Sequence, residues 1–421
     1  MTSSERAAGG PGVKWMHDRA LEPEEVRFWR RAVRRAVAAV GTPCFVFAAE
    51  PLQRQAELLD QAFEGLPVRH WWSYKTLPLP AAADWWFRRG RPVEVVSELE
   101  LRAVLEIGFD PADILVNGPA KHAWLARYPI PGLGVNFDSV AEIRTLASMA
   151  KRCAWRVGAR LSLRAEDNFE YPGIRAQFGL AGAEVDEAAR LLRRAGLPVE
   201  VLHFHLRTNV PEPRYYREAV AEALERASAV GWRAPVLDMG GGFPPARVAS
   251  RKGASLDAGF SLAAMRAVVK EAVSRHGLRE LWMENGRWLT APCGVLAVGV
   301  LDVKGDPTRG ARTLVCDGGR TLQAMVATWE RHAVVPLVNR RGAGVPTILH
   351  GPTCMAFDNL GIHPLPGSVG EGDVLIWSDA GAYQLGWETR FSHELAPICW
   401  WEADSIHTVR PKVHCQVEAI A

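Results

Sequence analysis

Short apolar runs alternate with amphipathic stretches along most of this chain. The runs have the length and the β-branched or aromatic content of strands, and the stretches between them repeat apolar positions at helical spacing. The runs occupy residues 44–47, 70–75, 93–96, 114–117, 133–137, 157–163, 199–205, 236–239 and 280–287. Strands that alternate with helices through short connections form βα units, and about eight of these match the size of a (β/α)8 barrel. The pattern predicts such a barrel over residues 44–290.

The alternation ends near residue 291. Beyond it, strand-type runs follow one another without helices and are separated by Gly, Pro and Asp, at residues 295–304, 313–317, 347–350, 374–378 and 395–402. This arrangement predicts an all-β domain over residues 291–421. Residues 13–43 carry a charged helical pattern at 22–39 and are predicted to pack on the β domain. Residues 1–12, rich in Ala and Gly, are predicted to be a disordered lead.

Composition narrows the class of protein. The chain has 421 residues, of which 48% are hydrophobic and 23% charged, and its formal net charge is +3. Near charge balance argues against nucleic-acid or membrane-surface binding, and no apolar run suits a membrane span or a signal peptide. The seven cysteines are odd in number and none forms a C-x-x-C pair, so neither a disulfide framework nor a zinc site is expected. We therefore expect a cytoplasmic globular protein without a metal.

Polar residues fall at the carboxyl ends of the predicted barrel strands, the rim where barrel enzymes carry their chemistry. They are Lys75, Glu94, Asn117, Arg160, His205, Glu284 and Arg287. A lysine that closes a buried strand is costly unless its amine is paired or chemically used. The alternative is a surface lysine whose alkyl stem lies along the barrel.

A glycine turn follows the run at 236–239. Gly240, Gly241 and Gly242 precede Phe243 and Pro244. Residues without Cβ let the backbone approach a ligand closely and direct successive amides at one point. Such amides at a strand end suit a phosphate. A tight connecting turn is the alternative that the glycines alone leave open.

Six motifs occur together in a fixed order. They are Lys75, His205, the glycine turn at 240–242, Glu-x-Gly-Arg at 284–287, Gly-Pro-x-Cys at 351–354 and Asp-Ala-Gly-Ala-Tyr at 379–383. In this order they resemble the fold-type III pyridoxal-phosphate decarboxylases of diaminopimelate, ornithine and arginine, over nearly the whole chain from residue 41. Leu-His-Phe-His at 202–205 is most similar to the diaminopimelate branch. The resemblance implies an alanine racemase-like barrel with a C-terminal β-sandwich or β-barrel domain, and pyridoxal 5'-phosphate as cofactor.

The resemblance also implies a role for each residue at the cofactor. Lys75 would bind the cofactor covalently, Glu284 would keep the pyridine nitrogen protonated, and His205 would stack on the ring. Guanidinium, amide and hydroxyl groups would surround the phosphate. These are Arg287, Gly240, Gly241, Gly242, Thr208 and Tyr383. Supporting positions are Glu94, where the family more often has Asp, and Ser97, Glu100 and Arg160.

Cys354 resembles a thiol that one subunit supplies to the site of its partner, opposite the lysine. There it would protonate the α-carbon after CO₂ leaves. The flanking Gly351-Pro352 and Asp358 match this motif. A site shared in this way implies a homodimer.

Several positions depart from the family pattern. Met355 stands where the diamino-acid enzymes have an acidic residue that pairs the distal ammonium, and an unpaired desolvated cation costs several kcal/mol. Free lysine, ornithine, arginine and diaminopimelate are therefore not the expected substrates. The distal-carboxylate arginine expected after Asp317 is absent, and Arg207 replaces a glycine. Arg207 and Arg320 are predicted to favour an apolar or anionic distal group, and an ion pair at the rim is the alternative for Arg207.

The leading function is decarboxylation of a small-molecule amino acid, with Asp317, Arg320, Met355, Asp358 and Arg207 near the substrate. An alternative is a racemase or epimerase in which Lys75 and Cys354 exchange the α-proton from opposite faces. A third alternative is a binding homologue that has lost catalysis. The sequence fixes neither the substrate nor the stereochemistry.

Overall fold

A computed structural model describes residues 21–164, 177–305 and 312–412. The predicted lead at residues 1–12 lies outside these ranges. The chain divides into two compact units, Gln53–Pro245 with Asp257–Leu289, and Met1–Leu52 with Ala246–Leu256 and Thr290–Ala421. No helix among the described residues is long and apolar enough to cross a bilayer.

The α-helices are given in chain order. They are α1 (Pro23–Val40), α2 (Ala49–Ala62), α3 (Pro80–Phe87), α4 (Glu98–Ile107), α5 (His122–Leu125), α6 (Val140–Arg152), α7 (Ala183–Ala195), α8 (Arg214–Ala229), α9 (Leu262–His276), α10 (Arg287–Thr290), α11 (Ala324–Thr328) and α12 (Gln384–Trp387). Single 3₁₀ turns occupy Tyr74–Thr76, Pro111–Asp113 and Ala291–Cys293.

The strands follow in the same order. They are β1 (Cys44–Ala48), β2 (Val68–Ser73), β3 (Val93–Val95), β4 (Ile114–Val116), β5 (Gly134–Phe137), β6 (Arg156–Arg160), β7 (Val201–His203), β8 (Val236–Asp238), β9 (Ala249–Ser250), β10 (Glu280–Asn285), β11 (Gly294–Lys304), β12 (Arg312–Cys316), β13 (Glu330–Arg331), β14 (Val334–Pro336), β15 (Gly344–His350), β16 (Asn359–Pro366), β17 (Val374–Trp377), β18 (Ile398–Glu402) and β19 (Ser405–Arg410).

Eight parallel strands close the predicted barrel, in the order β10-β2-β3-β4-β5-β6-β7-β8. The fold class is confirmed, but the first predicted strand is not part of the barrel. β1 pairs antiparallel with β11 and parallel with β18, in the sheet of the other unit. Strand propensity alone does not reveal which sheet a strand joins, because that choice depends on contacts distant in sequence. The barrel strands begin at Val68.

Tryptophans fill the barrel interior. Trp71 and Trp282 pack with Leu115, Val201 and Val236, which gives the barrel a solid core. The two indole rings are 4.8 Å apart between centroids, and the Arg156 guanidinium lies 4.7 Å from the Trp282 ring centroid. This core supports the rim above it, and it accounts for two of the sixteen tryptophans.

The other unit is built on a nine-stranded sheet whose main path is β16-β15-β12-β11-β1-β18-β19, with β17 joining β11 to β14. Trp29, Val33 and Ala36 of α1 pack in one apolar cluster with Val46 and Trp401 of the sheet. Their spacing of four and three residues places all three on one helix face. The helix predicted at 22–39 therefore forms part of this core.

Candidate active site

Lys75 lies in the 3₁₀ turn Tyr74–Thr76, immediately after β2, instead of closing the strand as predicted. Its Nζ donates to Glu94 Oε2 at 2.9 Å and to Ser73 Oγ at 2.5 Å. The Ser73 hydroxyl in turn donates to the same Glu94 oxygen. Glu94 is 1% exposed, whereas the Lys75 side chain is 36% exposed. Buried groups therefore hydrogen-bond the amine, while the Lys75 side chain remains partly accessible.

A second carboxyl lies behind Glu94. Glu100 Oε2 accepts from the Val96 amide at 2.8 Å, and Ser97 caps α4 by accepting from the Glu100 amide. A capping box is only half formed here, because the Glu100 carboxylate accepts from the Val96 amide and not from the Ser97 amide. Burial, together with the charge of Glu94, raises the pKa of Glu100 to about 7.

Glu284, the residue before the end of β10, lies among buried polar groups from neighbouring strands. Asn117 Nδ2 donates to its Oε1, and His203 Nε2 lies 3.3 Å from the same atom without hydrogen-bond alignment. Burial, with Asp238 next to it, raises the pKa of Glu284 well above its ordinary value, and burial raises that of Asp238 to about 6. Ligand atoms of His203, Asp238 and Glu284 lie within 4.8 Å of one another, a spacing that a metal ion would also accept.

The glycine turn packs so closely that side chains are excluded. A Cβ on Gly241 would lie 2.3 Å from the Glu284 carbonyl oxygen, and one on Gly242 would lie 2.4 Å from that of Arg207. Gly242 also has a φ of +102°, which favours glycine. The Gly240 amide donates to Asp238 Oδ1 and the Gly241 amide to His205 Nδ1, so both are engaged within the protein. Fewer amides than predicted are left for a phosphate.

His205 is a neutral imidazole in this setting. Burial, followed by the charges of Arg160 and Lys75, lowers its pKa to about 3. Because its Nδ1 accepts from the Gly241 amide at 3.1 Å, the proton belongs on Nε2. A neutral ring fixed by this bond can present its face to a planar ligand.

Two further groups of charged residues lie in the barrel unit, Arg160 with Asp138 and the buried ion pair of Lys121 and Glu142. Arg160 Nη1 lies 3.7 Å from Asp138 Oδ1, and the guanidinium lies 4.5 Å from the Phe178 ring centroid. Lys121, which is fully buried, donates to Glu142 Oε2 at 2.5 Å. Sequence reasoning did not identify this pair, although a lysine two residues after Gly118-Pro119 was visible in the sequence.

Arg207 borders a cavity that the Lys75 cluster does not line. It lines a cavity of about 350 Å³ with Arg164, Tyr215, Glu218 and Glu222, whereas Lys75, His205 and Glu284 do not line this cavity. Two acidic side chains in the same lining, Glu218 and Glu222, would suit a rim ion pair, and the substrate contact of Arg207 stays a prediction. The neighbouring Thr208 is exposed.

Three predicted substrate residues have structural contacts in the β unit. Asp358 is 1% exposed and accepts from the Arg320 amide at 2.7 Å and from the Thr353 hydroxyl at 2.6 Å. Asp317 accepts from the Gly299 amide at 2.8 Å. The Arg320 guanidinium donates to the Ala327 carbonyl oxygen at 3.3 Å. The two carboxylates accept hydrogen bonds within turns, and their direct contact with a substrate stays a prediction.

Asp358 also shapes the loop that carries Cys354. A Cβ on Gly351 would lie 2.3 Å from its carboxylate, and its amide donates to the Met355 carbonyl oxygen at 2.9 Å. The folded loop leaves Cys354 exposed, whereas the five other described cysteines are buried.

Tyr383 has a φ of +65°, a constrained conformation for a residue with a side chain.

The barrel rim has the groups that pyridoxal phosphate requires. It offers an accessible primary amine in Lys75, a buried carboxyl in Glu284 that would ionise readily beside a cation, and a neutral imidazole in His205. The turn at Gly241 and Gly242 leaves no room for a Cβ, as expected where a backbone packs tightly against its surroundings. An aldehyde, a basic ring nitrogen, a ring face and an anion would each find a matching group.

Comparisons with known proteins agree with this chemistry. The family model of the pyridoxal-dependent decarboxylases, pyridoxal binding domain, matches residues 49–291. A diaminopimelate decarboxylase from Actinosynnema pretiosum subsp. auranticum is 28% identical over 383 residues, 88% of this chain and 86% of that protein. A lysine/ornithine decarboxylase from Selenomonas ruminantium is 25% identical over 398 residues, 91% of this chain and 96% of that protein.

Solved structures share the fold. Diaminopimelate decarboxylase from Helicobacter pylori, complexed with L-lysine, has a TM-score of 0.77 at 18% identity and covers 90% of this chain and 96% of its own. The arginine decarboxylase of Paramecium bursaria Chlorella virus has a TM-score of 0.72 at 18% identity, with coverage of 88% and 99%. The family match spans more than half of the chain. The protein therefore belongs to the pyridoxal-dependent decarboxylases, as a carboxy-lyase of the diaminopimelate and ornithine decarboxylase type that uses pyridoxal 5'-phosphate.

Proposed function

We propose that this enzyme decarboxylates an α-amino acid other than a free basic diamino acid, with Lys75 as the residue that holds the cofactor and Cys354 as the acid that protonates the product. The observation that carries the proposal is the Lys75 amine, bonded to Ser73 and Glu94 yet accessible on its outer side. When bound, pyridoxal phosphate withdraws the electron pair that CO₂ leaves on the α-carbon.

Glu284 is the proposed partner of the pyridine nitrogen. Its raised pKa means that an isolated Glu284 would hold a proton, and a nearby pyridinium would favour the carboxylate instead. The Asn117 amide donates to Oε1 and so fixes the orientation of the carboxyl. His205, neutral and fixed by the Gly241 amide, is the proposed stacking residue. This assignment uses the buried carboxyl cluster without a metal.

The phosphate is assigned to the glycine turn and its neighbours. Because the amides of Gly240 and Gly241 donate within the protein, the closest backbone contact is assigned to Gly242 and the turn after it. Arg287 begins α10 directly after β10 and would supply a guanidinium. Thr208 and Tyr383 remain predicted phosphate residues on the sequence motifs alone.

Cys354 is the proposed acid for the α-carbon. It is exposed on a loop held by Asp358, so its thiol is accessible, and the active unit is proposed to be a homodimer in which each Cys354 serves the site of the other subunit. Met355, the residue after Cys354, is proposed to determine which substrate is accepted. Met355 cannot pair an ammonium group, so an apolar or anionic distal group is favoured over the diamino acids that name the relatives.

The test is a panel of amino acids in D₂O with two readouts, CO₂ release and deuterium exchange at the α-carbon. We expect CO₂ release with a substrate lacking a distal ammonium. Cys354→Ala should give a different product or form the normal product about 100-fold more slowly, within the range for loss of a general acid. Cys153→Ala, at a buried cysteine of the barrel unit, is the matched control. Deuterium exchange without CO₂ would mean a racemase and overturn the proposal.

A further inference from the structure

We infer that Ser73 is a positioning residue for Lys75, whose hydroxyl orients the amine and links it to Glu94 by a short path for a proton. This inference rests on the proposed role of Lys75. Ser73 is the last residue of β2 and is 4% exposed. Its Oγ lies 2.5 Å from Lys75 Nζ and donates its proton to Glu94 Oε2.

The direction of these bonds follows from the number of protons. A serine hydroxyl has one proton, and here it points at the carboxylate, so the Ser73 lone pairs face the amine. Lys75 must therefore donate to Ser73, while a second N–H reaches Glu94 directly at 2.9 Å. If one proton moves from Nζ to Oγ and the Oγ proton moves to Oε2, the ammonium becomes an amine and the carboxylate becomes an acid. No further reactant is needed.

Strand register and the following turn produce this arrangement. Ser73 pairs with Glu94 across β2 and β3, so the two side chains share one face of the barrel wall. The Thr76 hydroxyl donates to the Ser73 carbonyl oxygen at 2.8 Å, which closes the 3₁₀ turn and returns Lys75 over Ser73. Gly286 bounds the space, since a Cβ there would lie 3.2 Å from Ser73 Cβ.

Loss of the hydroxyl has a definite electrostatic consequence. In Ser73→Ala, the buried Glu94 carboxylate loses one donor and the Lys75 ammonium loses one acceptor. The charged forms of both groups are then less stable. Glu100, which faces Glu94 from α4, and Glu284 and His205, which face Lys75 from the other side of the rim, remain unchanged. The ammonium should therefore lose its proton at a lower pH.

The experiment measures Lys75 directly in protein stripped of cofactor. The rate at which an amine-reactive reagent labels Lys75 is followed against pH by peptide mass spectrometry, for wild type, Ser73→Ala, Ser73→Thr and the exposed control Ser148→Ala. We expect the pH midpoint of Lys75 labelling to move to a lower pH in Ser73→Ala. It should stay at the wild-type value in Ser73→Thr and Ser148→Ala. In the loaded enzyme, kcat of Ser73→Ala should fall about tenfold with KM unchanged.

A wild-type midpoint and kcat in Ser73→Ala would overturn the inference. A wild-type kcat with a shifted midpoint would also overturn it, because the hydroxyl would then affect only the resting amine. Failure of the proposed function would give a different result, because the cofactor would then be bound at a residue other than Lys75. The labelling of cofactor-free protein would still show whether Ser73 affects the Lys75 amine.

Discussion

Three carboxyl groups near Lys75 are held differently, and the difference decides what each can do. Glu94 accepts hydrogen bonds from the Ser73 hydroxyl and the Lys75 amine. Glu100 accepts a hydrogen bond from the Val96 amide, and burial raises its pKa to about 7. Glu284 has its pKa raised further by burial and by Asp238. Only Glu94 is arranged to receive a proton from the amine.

Substrate choice at residue 355 is open to a direct test. Met355→Asp would place a carboxylate next to Cys354, where it could pair a distal ammonium. We expect this variant to gain activity on lysine or ornithine by at least about tenfold, the effect of one modest ion pair, and to lose activity on its original substrate. Met355→Leu is the control that preserves an apolar side chain.

Initial rates of CO₂ release across the amino-acid panel provide the measurement. Wild-type enzyme that already prefers lysine, ornithine or diaminopimelate would contradict the assignment of Met355.

Glu100 should make stability depend on pH. Its folded pKa of about 7 lies above its unfolded value, so the protonated carboxyl stabilises the fold fully below about pH 4, and this contribution is lost as pH rises to about 7. Glu100→Gln keeps an oxygen for the Val96 amide but cannot ionise. Its free energy of unfolding should therefore fall less than that of wild type between those pH values, by a difference of order 2 kcal/mol.

Urea unfolding of the stripped protein at several pH values measures this difference. Glu106→Gln, at an exposed position of α4, is the control. Parallel pH profiles for wild type and Glu100→Gln would show that Glu100 is not held as described.

The connections after the barrel strands, more than the strands, build the site. The 3₁₀ turn after β2 positions Lys75, and the glycine turn after β8 packs against the backbones of Glu284 and Arg207. Gly241→Ala would place a methyl group 2.3 Å from the Glu284 carbonyl oxygen. We expect a loss of about 2 kcal/mol or more in stability, with weaker cofactor binding, because backbone cannot move away cheaply.

Gly65→Ala is the matched control. Gly65 has a φ of +75° and nothing within 4 Å of its built Cβ, so only the conformational cost of about 1 kcal/mol applies. Urea unfolding and absorbance titration with pyridoxal phosphate compare the two variants. Equal effects from both would mean that close packing at Gly241 is unimportant.

The sequence predicted the positions of the strands and helices better than the pairing of the strands in sheets. Period and turn residues identified the eight barrel strands, because these signals are local. The sheet of β1 depends on pairing with β11 and β18, about 250 and 350 residues away, which no local pattern reveals. Likewise Lys75, His205 and Glu284 were found from strand-end positions. Ser73, His203 and Asp238 were not, because inside an apolar strand they look like ordinary strand residues.

At the scale of the whole molecule, the central expectation is a homodimer with shared sites. A mixture of Lys75→Ala and Cys354→Ala subunits, each with little or no normal product formation alone, should regain activity on dissociation and reassociation. Random pairing places one intact site in about half of the dimers, so recovery of about a quarter of wild-type activity is expected. Subunits labelled with different masses would confirm exchange. No recovery after confirmed exchange would contradict the shared site.

The attachment of the cofactor to Lys75 is the claim on which the account depends, and it can be measured directly. Loaded protein is reduced with borohydride, digested and analysed by peptide mass spectrometry. We expect the reduced cofactor on the peptide that contains Lys75, and its loss in Lys75→Ala. Lys121, fully buried and paired with Glu142, is the internal comparison and should remain unlabelled. Label on Lys121, or colourless protein that takes up no cofactor, would contradict the account.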